Sequence, residues 1–298
     1  MTGGVIVAGT ITRDFVESRV GGLDGELGGS AVYSALAARL LGPVGVVAAV
    51  TADVESEVRQ LLNFADLEAA TMSPGTAPEW HAQRDEPGGE AVTVQKFESI
   101  PAGYVPAVER VREWPRVVFL GSVDPAVQLA VARAAPADTW IAADTMDVMV
   151  SERRHEVEQV LAACRIAFVT EIELELLTHT RGVAAGAERA MDGFGLSAIV
   201  VKRGRAGALL WTRGSGTRMP AAAVDVVDPT GAGDALAGGF LGRLAQVGRL
   251  DAATLRECLG YGLVMATFAI EGIGVRGLVA ATEAEVRTRL EHLRIPIS

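Results

Sequence analysis

Short apolar runs rich in β-branched residues alternate with longer stretches of helical spacing along most of this chain, and that rhythm leaves few folds open. The runs at 5–8, 44–50, 117–120, 140–143, 166–169 and 199–202 are candidate strands. Several are apolar without alternation, the pattern of strands covered on both faces. Between them, 30–41, 126–134, 151–163 and 183–194 repeat apolar positions at helical spacing, with Ser30 and Ser151 placed as N-caps. Strand, helix and parallel strand in turn make βαβ units, so an α/β fold around a mostly parallel sheet is expected. With 298 residues and 49% hydrophobic content, the chain can bury such a core.

After Lys202 the rhythm changes. The turn at 204–207 separates two strand-like runs and a further strand-like pair follows through Val227, which predicts an antiparallel extension of the sheet. From Ala232 onward the pattern is helical, with candidates at 234–247, 252–270 and 283–293. No repeat or low-complexity linker divides residues 1–298, so one domain is expected. Two stretches stand outside the layered core, 15–28 and 79–97, the second with a Pro87-Gly88-Gly89 turn between polar strand-like flanks. They read as a small β lid over one edge or as a pair of surface loops. A lid with strand-like edges offers a way for two copies to pair as a homodimer.

The densest chemical signal is Asp228-Pro229-Thr230-Gly231-Ala232-Gly233-Asp234, between a strand candidate and a helix. Glycines there let backbone amides approach a ligand that side chains would hold off. The amides then open a helix, whose N-terminus carries partial positive charge suited to a phosphoryl group in flight. Asp234, in the first turn, is placed to accept a proton. Gly238 and Gly239 suit close packing of that helix against the sheet. Neither a Gly-x-x-x-x-Gly-Lys-Ser/Thr loop nor a Gly-x-Ser-x-Gly elbow occurs, which argues against P-loop kinases and serine hydrolases. A dinucleotide-binding oxidoreductase lacks its Gly-x-Gly-x-x-Gly run after the first strand.

The stretch from Asp228 to Asp234 resembles the carboxy-terminal signature of the ribokinase (PfkB) family of carbohydrate kinases, and the similarity runs along nearly the whole chain. It implies a ribokinase-like three-layer fold with a small lid, ATP and Mg2+ as cofactors, and a sugar, cyclic polyol or nucleoside as phosphate acceptor. In that resemblance Asp234 is the catalytic base and the amides of Gly231, Ala232 and Gly233 form the anion hole. Gly28 and Gly29 match the first Gly-Gly motif beside the acceptor, and Asp14 matches the acidic residue that binds sugar hydroxyls. Tyr33 stands where many members place an acceptor-binding Asn. The segment with Lys202, Gly204 and Gly207, together with Thr230 and Val264, matches the nucleotide site. The Asn-x-x-Glu metal motif falls on Thr170-Glu171-Ile172-Glu173, so that Glu173 would hold magnesium through water while Thr170 replaces the Asn. Asp144 and Asp147 are secondary candidates at the end of a strand. A non-catalytic small-molecule sensor is the alternative, with Thr170 as the first lost catalytic part.

Charge and rarer residues narrow the partners. The formal charge of −10 works against nucleic acids and anionic lipid surfaces. No apolar run reaches membrane-spanning length, and the first residues lack a basic start with a long apolar stretch. Cys164 and Cys258 form no Cys-x-x-Cys pattern, and the four histidines are scattered. These features suggest neither a disulfide framework nor a zinc site, and a reducing cytoplasm is the expected compartment.

Overall fold

The computed structural model describes residues 3–18, 22–84, 92–96 and 104–293. In chain order the strands before the first crossover region are β1 (Val5–Ala8), β2 (Thr12–Ser18) and β3 (Leu23–Gly28), followed by α1 (Ser30–Ala38), β4 (Val44–Val50), α2 (Glu55–Leu61) and β5 (Ala70–Met72). Next come β6 (Glu79–Arg84), β7 (Val92–Lys96), β8 (Val117–Leu120), α3 (Pro125–Ala134), β9 (Trp140–Asp144), α4 (Asp147–Glu152), α5 (Arg154–Ala162) and β10 (Ile166–Thr170). The last stretch holds α6 (Glu171–Thr178), α7 (Val183–Phe194), β11 (Ala198–Lys202), β12 (Ala208–Thr212), β13 (Ser215–Met219), α8 (Ala232–Val247), α9 (Ala252–Ile270), α10 (Arg276–Ala280) and α11 (Glu283–His292).

Among the described residues, nine strands form one sheet in the order β13-β12-β11-β10-β9-β8-β1-β4-β5. From β5 to β11 neighbouring strands are parallel, and β12 and β13 extend the edge antiparallel. Residue alternation feeds two cores. Val5, Val7, Phe119 and Phe168 point into the layer that holds α1, α8 and α9. Ile6, Ala8, Val118, Leu120 and Val169 point into the layer that holds α3, α5 and α7. This two-sided burial is why the strands read as unbroken apolar runs.

The glycine-rich helix α8 is fixed by its neighbours. Phe240 meets Phe168 edge to face at 5.4 Å, and Phe168 meets Phe119 at 5.9 Å in the same way. Each such pair contributes about 0.5–1.5 kcal/mol beyond simple burial. A Cβ on Gly238 would come 2.3 Å from the Ser34 carbonyl oxygen of α1, and one on Gly239 would come 2.6 Å from Met265 of α9. These glycines therefore serve helix–helix contact and not the helix–sheet contact that the sequence suggested.

Three other expectations are corrected. The stretch 151–163 is two helices, because the backbone leaves helical geometry at Arg153 (φ −128°, ψ 36°), and Ser151 lies inside α4 instead of capping a helix. Gly29 occupies the N-cap position of α1, which frees the Ser30 hydroxyl to accept from the Thr10 amide at 3.0 Å. Between β13 and α8 no strand occurs among the described residues, so the strand-like run ending at Val227 is an irregular connection.

A second, four-stranded sheet runs β3-β2-β6-β7, with β2 and β6 parallel and the outer pairs antiparallel. It is built from the two stretches that did not fit the layered core. Residues 19–21, 85–91 and 97 of those stretches lie outside the described residues.

Candidate active site

Open parallel sheets gather ligands at the carboxyl ends of their strands, near the point where the chain changes direction of winding. Here that point lies between β1 and β8. Ser30 bridges it: its hydroxyl meets the Thr10 amide after β1 and donates to the Ser122 carbonyl after β8 at 3.3 Å. The carboxyl ends of β9, β10 and β11 carry Asp144, Thr170 and Lys202, the first polar groups on otherwise apolar strands.

Asp144 is 4% exposed and its Oδ1 accepts from the Lys202 ammonium at 2.5 Å and from the Thr145 amide at 2.9 Å. Gln128 holds the strand end behind it, donating to the Gly121 carbonyl at 2.8 Å. Glu173 is also buried. Its Oε2 accepts from the Thr145 hydroxyl at 2.8 Å and from the Thr170 amide at 3.0 Å, while Thr170 Oγ1 accepts from the Glu173 amide at 3.1 Å. Thr170 and Glu173 thus close a capping box that starts α6 and clamps the carboxylate. Burial pushes the Glu173 carboxyl up and Asp144 adds to this, with Lys202 pulling the other way. For Lys202, burial works to lower the ammonium, but Asp144 and Glu173 outweigh it and hold the group above its ordinary value. Asp147 is exposed and, among the described residues, accepts only from the Val148 amide in its own helix, at 2.7 Å.

The loop before α8 is tied down from behind. Asp228 Oδ1 accepts from the Thr230 amide at 3.0 Å and its hydroxyl at 2.7 Å, and the Val227 amide donates to the Ile270 carbonyl at 2.8 Å. Gly231 follows with φ 72°, a conformation that side chains rarely adopt, and a Cβ there would lie 2.1 Å from the Tyr33 ring. Tyr33, 1% exposed, is therefore packed directly beneath this glycine. The Ala232 amide turns back to the Pro229 carbonyl at 3.2 Å. No side chain caps α8. A Cβ on Gly233 would stand 3.6 Å from the Lys202 nitrogen and 4.0 Å from Asp144, so the ion pair of the main sheet lies beside the start of α8.

Asp234 sits in that first turn. Its Oδ1 is buried and has no hydrogen-bond partner among the described residues, while its backbone carbonyl accepts from the Ser34 hydroxyl at 3.1 Å. Burial first, and then Asp144, push its carboxyl up to about 7 against the pull of Lys202. Asp14, on the small sheet, adds to the upward push on the Asp234 carboxyl. Asp14 itself is 3% exposed, accepts from the Thr12 hydroxyl at 2.6 Å, and is pushed up to about 7 by burial. A Cβ on Gly28 would fall 1.9 Å from Asp14 Oδ2, so glycine at that position is what lets the carboxylate lie across β3. Gly29, at φ 94°, turns the chain from β3 into α1.

The remaining sequence candidates lie apart from this cluster or behind it. Gly204 and Gly207 form the turn after β11, both at positive φ, and a Cβ on Gly207 would strike the Met219 carbonyl at 2.2 Å. Val264 is fully buried in α9 within the core. Sequence reading quoted Asp228 within the motif but gave it no role, and it gave none to Thr145; both hold other residues in place.

The family model described as "pfkB family carbohydrate kinase" matches residues 116–281. A cytidine kinase of Thermococcus kodakarensis is 29% identical over 244 residues, spanning 79% of this chain and 84% of that protein. The aminoimidazole riboside kinase of Salmonella enterica, solved with aminoimidazole riboside and an ATP analog, superposes with a TM-score of 0.76 at 20% identity over 96% of this chain and 99% of its own. A nucleoside kinase of Burkholderia thailandensis in complex with inosine gives a TM-score of 0.76 at 20% identity, covering 97% and 98% of the two chains. The two structural likenesses show the shared fold.

Proposed function

Because the chain belongs to the pfkB family of carbohydrate kinases, we propose that Asp234 takes the proton of the attacking hydroxyl in the phosphoryl transfer. The reaction is the ATP-dependent phosphorylation of a hydroxyl on a small sugar or sugar-like acceptor. One observation carries the assignment: a buried carboxylate oxygen without a partner among the described residues, at an uncapped helix start. An unsatisfied buried acceptor costs a fold roughly 1–3 kcal/mol, which a purely structural aspartate would not retain. A carboxyl raised to about 7 is matched to proton transfer near neutral pH.

The amides of Gly231, Ala232 and Gly233 stabilise charge on the transferred group, with the Ala232 amide partly drawn into its own turn. Lys202, poised beside Gly233, adds a cation for the phosphates of ATP. Gly204, Gly207 and Thr230 border the nucleotide, and Val264 backs it from the core. Asp14 binds acceptor hydroxyls between Gly28 and Gly29, and Tyr33 acts on the acceptor side through the loop that it supports. The small sheet serves as a lid that excludes water during transfer.

Magnesium fits these residues through water. Two buried carboxylates, Asp144 and Glu173, face a single ammonium, which leaves negative charge in excess. Among the described residues no group of three His, Cys, Asp or Glu side chains could hold an ion directly, which suits an ion that keeps most of its waters. Glu173 would anchor that water shell, and the bound ion would supply charge neutralisation for the phosphates. The outer strands β3 and β7 leave edges that could pair with a second copy. Among the described residues no helix is long and apolar enough to cross a membrane. The free, buried thiols of Cys164 and Cys258 suit a reducing cytoplasm.

Asp234→Asn tests the assignment. It should leave ATP binding near normal and lower kcat by roughly 10²–10⁴-fold, measured as ADP formation with a panel of sugars, polyols and nucleosides. Near-normal turnover would remove Asp234 from the mechanism.

A further inference from the structure

On the small sheet, β2 and β6 run parallel with Asp14 opposite Trp80 and Phe15 opposite His81. Phe15 and His81 stack at 4.5 Å with planes 7° apart, so they share one face. Alternation along a strand then places Asp14 and Trp80 together on the other face. The burial of Thr12, Val16 and Ala82, which fall on that same face, agrees. Asp14 lies on this face over Gly28, just before α1, and α1 in turn sets Tyr33 against Gly231 and Ser34 against the Asp234 carbonyl at the start of α8. The β2–β3 pairing shifts register between Asp14 and Phe15, while β2 against β6 stays in register, so the side-by-side placement of Asp14 and Trp80 is undisturbed.

Trp80 differs from the other tryptophans of the chain. The Trp140 ring carries the Arg116 guanidinium at 4.4 Å, the Trp211 ring lies against Gly216, and Trp114 packs on the core below the main sheet. Trp80 is only partly buried and has neither a ring partner nor a hydrogen-bond partner among the described residues. An indole held so, on the ligand-facing side of a sheet, offers a flat apolar surface with one N–H donor.

We propose that Trp80 is the specificity residue for the acceptor, and that the acceptor carries a planar heteroaromatic ring on its sugar, as a nucleoside does. The proposal rests on the kinase reading above and refines its substrate class. The reacting hydroxyl must reach Asp234, and the remaining hydroxyls reach Asp14, whose carboxylate leans over Gly28 on β3. Trp80 stands one strand further, on the opposite side of β2, a step of roughly 4.8 Å. A sugar with hydroxyls on both Asp234 and Asp14 would direct its substituent toward β6 and Trp80, where an indole face stacks well on a planar ring.

The test uses cytidine, uridine and inosine as base-bearing acceptors, with D-ribose and methyl riboside lacking a base. The ratio of kcat/KM for the best nucleoside to that for ribose should fall about ten- to hundredfold in Trp80→Ala, the worth of one stacked base, and be largely kept in Trp80→Phe. Titration of the ATP-free protein with the nucleoside should quench tryptophan fluorescence, and Trp80→Phe should abolish that quench while retaining binding by calorimetry. A ribose preference in the unaltered protein, or an unchanged ratio in Trp80→Ala, overturns the proposal and leaves the kinase standing. If no acceptor yields ADP, the kinase reading falls, and the fluorescence and calorimetric titrations still decide whether Trp80 stacks on a base.

Discussion

The nine-stranded and four-stranded sheets place their polar groups in opposite ways. On the large sheet the central strands β4, β1, β8, β9, β10 and β11 have apolar interiors buried on both faces, and Asp144, Thr170 and Lys202 appear only where strands end. On the small sheet Asp14 and Trp80 lie within their strands, among residues that alternate between buried and partly exposed. The first arrangement fixes a charged cluster against a close-packed body that cannot shift without opening a core. The second presents groups on the buried face of a four-stranded sheet whose other face is partly exposed. On the proposed reading the large sheet and α8 supply the transfer chemistry, and the small sheet supplies recognition and closure.

That division can be broken by substitutions on either side. After Asp234→Asn, the largest effect is expected at Gly231→Ala, where φ 72° and a Cβ 2.1 Å from the Tyr33 ring force the loop to move. Losing one well-placed donor of an anion-stabilising loop typically costs about 10²–10³ in kcat, so single-turnover rates should drop by that order with acceptor KM changed much less. If acceptor KM carried most of the loss instead, the loop would belong to recognition.

Asp14→Asn comes next and tests the other side. A hydrogen bond to a charged group is worth roughly 1.5–3 kcal/mol, so acceptor KM should rise about ten- to hundredfold while KM for ATP stays within about twofold. A parallel rise in both constants would mean that the small sheet also organises the nucleotide.

Smaller still is Thr170→Ala, which opens the capping box and leaves the Glu173 amide without its acceptor. Loss of a cap costs about 1 kcal/mol, readable as a lowered urea midpoint. Because Glu173 is also held by Thr145, the magnesium concentration for half-maximal rate should rise only a few-fold. An unchanged urea midpoint would show that Thr145 alone holds this corner.

The same contrast explains what could be read from sequence. The central strands β1, β4, β8, β9, β10 and β11 were legible to within a residue, because burial on both faces writes a continuous apolar run, whereas the short edge strand β5 was not read. Asp234 and its glycines were legible because amide exposure and helix start require those residues in a fixed local order. The stop at Arg153 was not, since it depends on backbone geometry that no proline or glycine announces. Tyr33 against Gly231 joins residues far apart in the chain, and nothing local marks either as the other's neighbour. Trp80 was passed over for a similar reason: its meaning comes from the register of β6 beside β2, and a lone aromatic residue in a polar stretch carries no motif.

The central claim is that Asp234 on the rigid side of the site, and not Asp14 on the small sheet, is the base. Both carboxyls are raised by burial to about 7, so the pH dependence of acceptor kcat/KM at saturating ATP separates them when each is replaced. A base must be ionised to act, so the rate should rise with pH through an acidic limb near 7 and level off above it. The account predicts that Asp14→Asn, though weaker in acceptor binding, keeps this limb, and that Asp234→Asn loses it together with roughly 10²–10⁴-fold in rate. An Asp234→Asn enzyme that turns over near normally and still shows the limb would contradict the account.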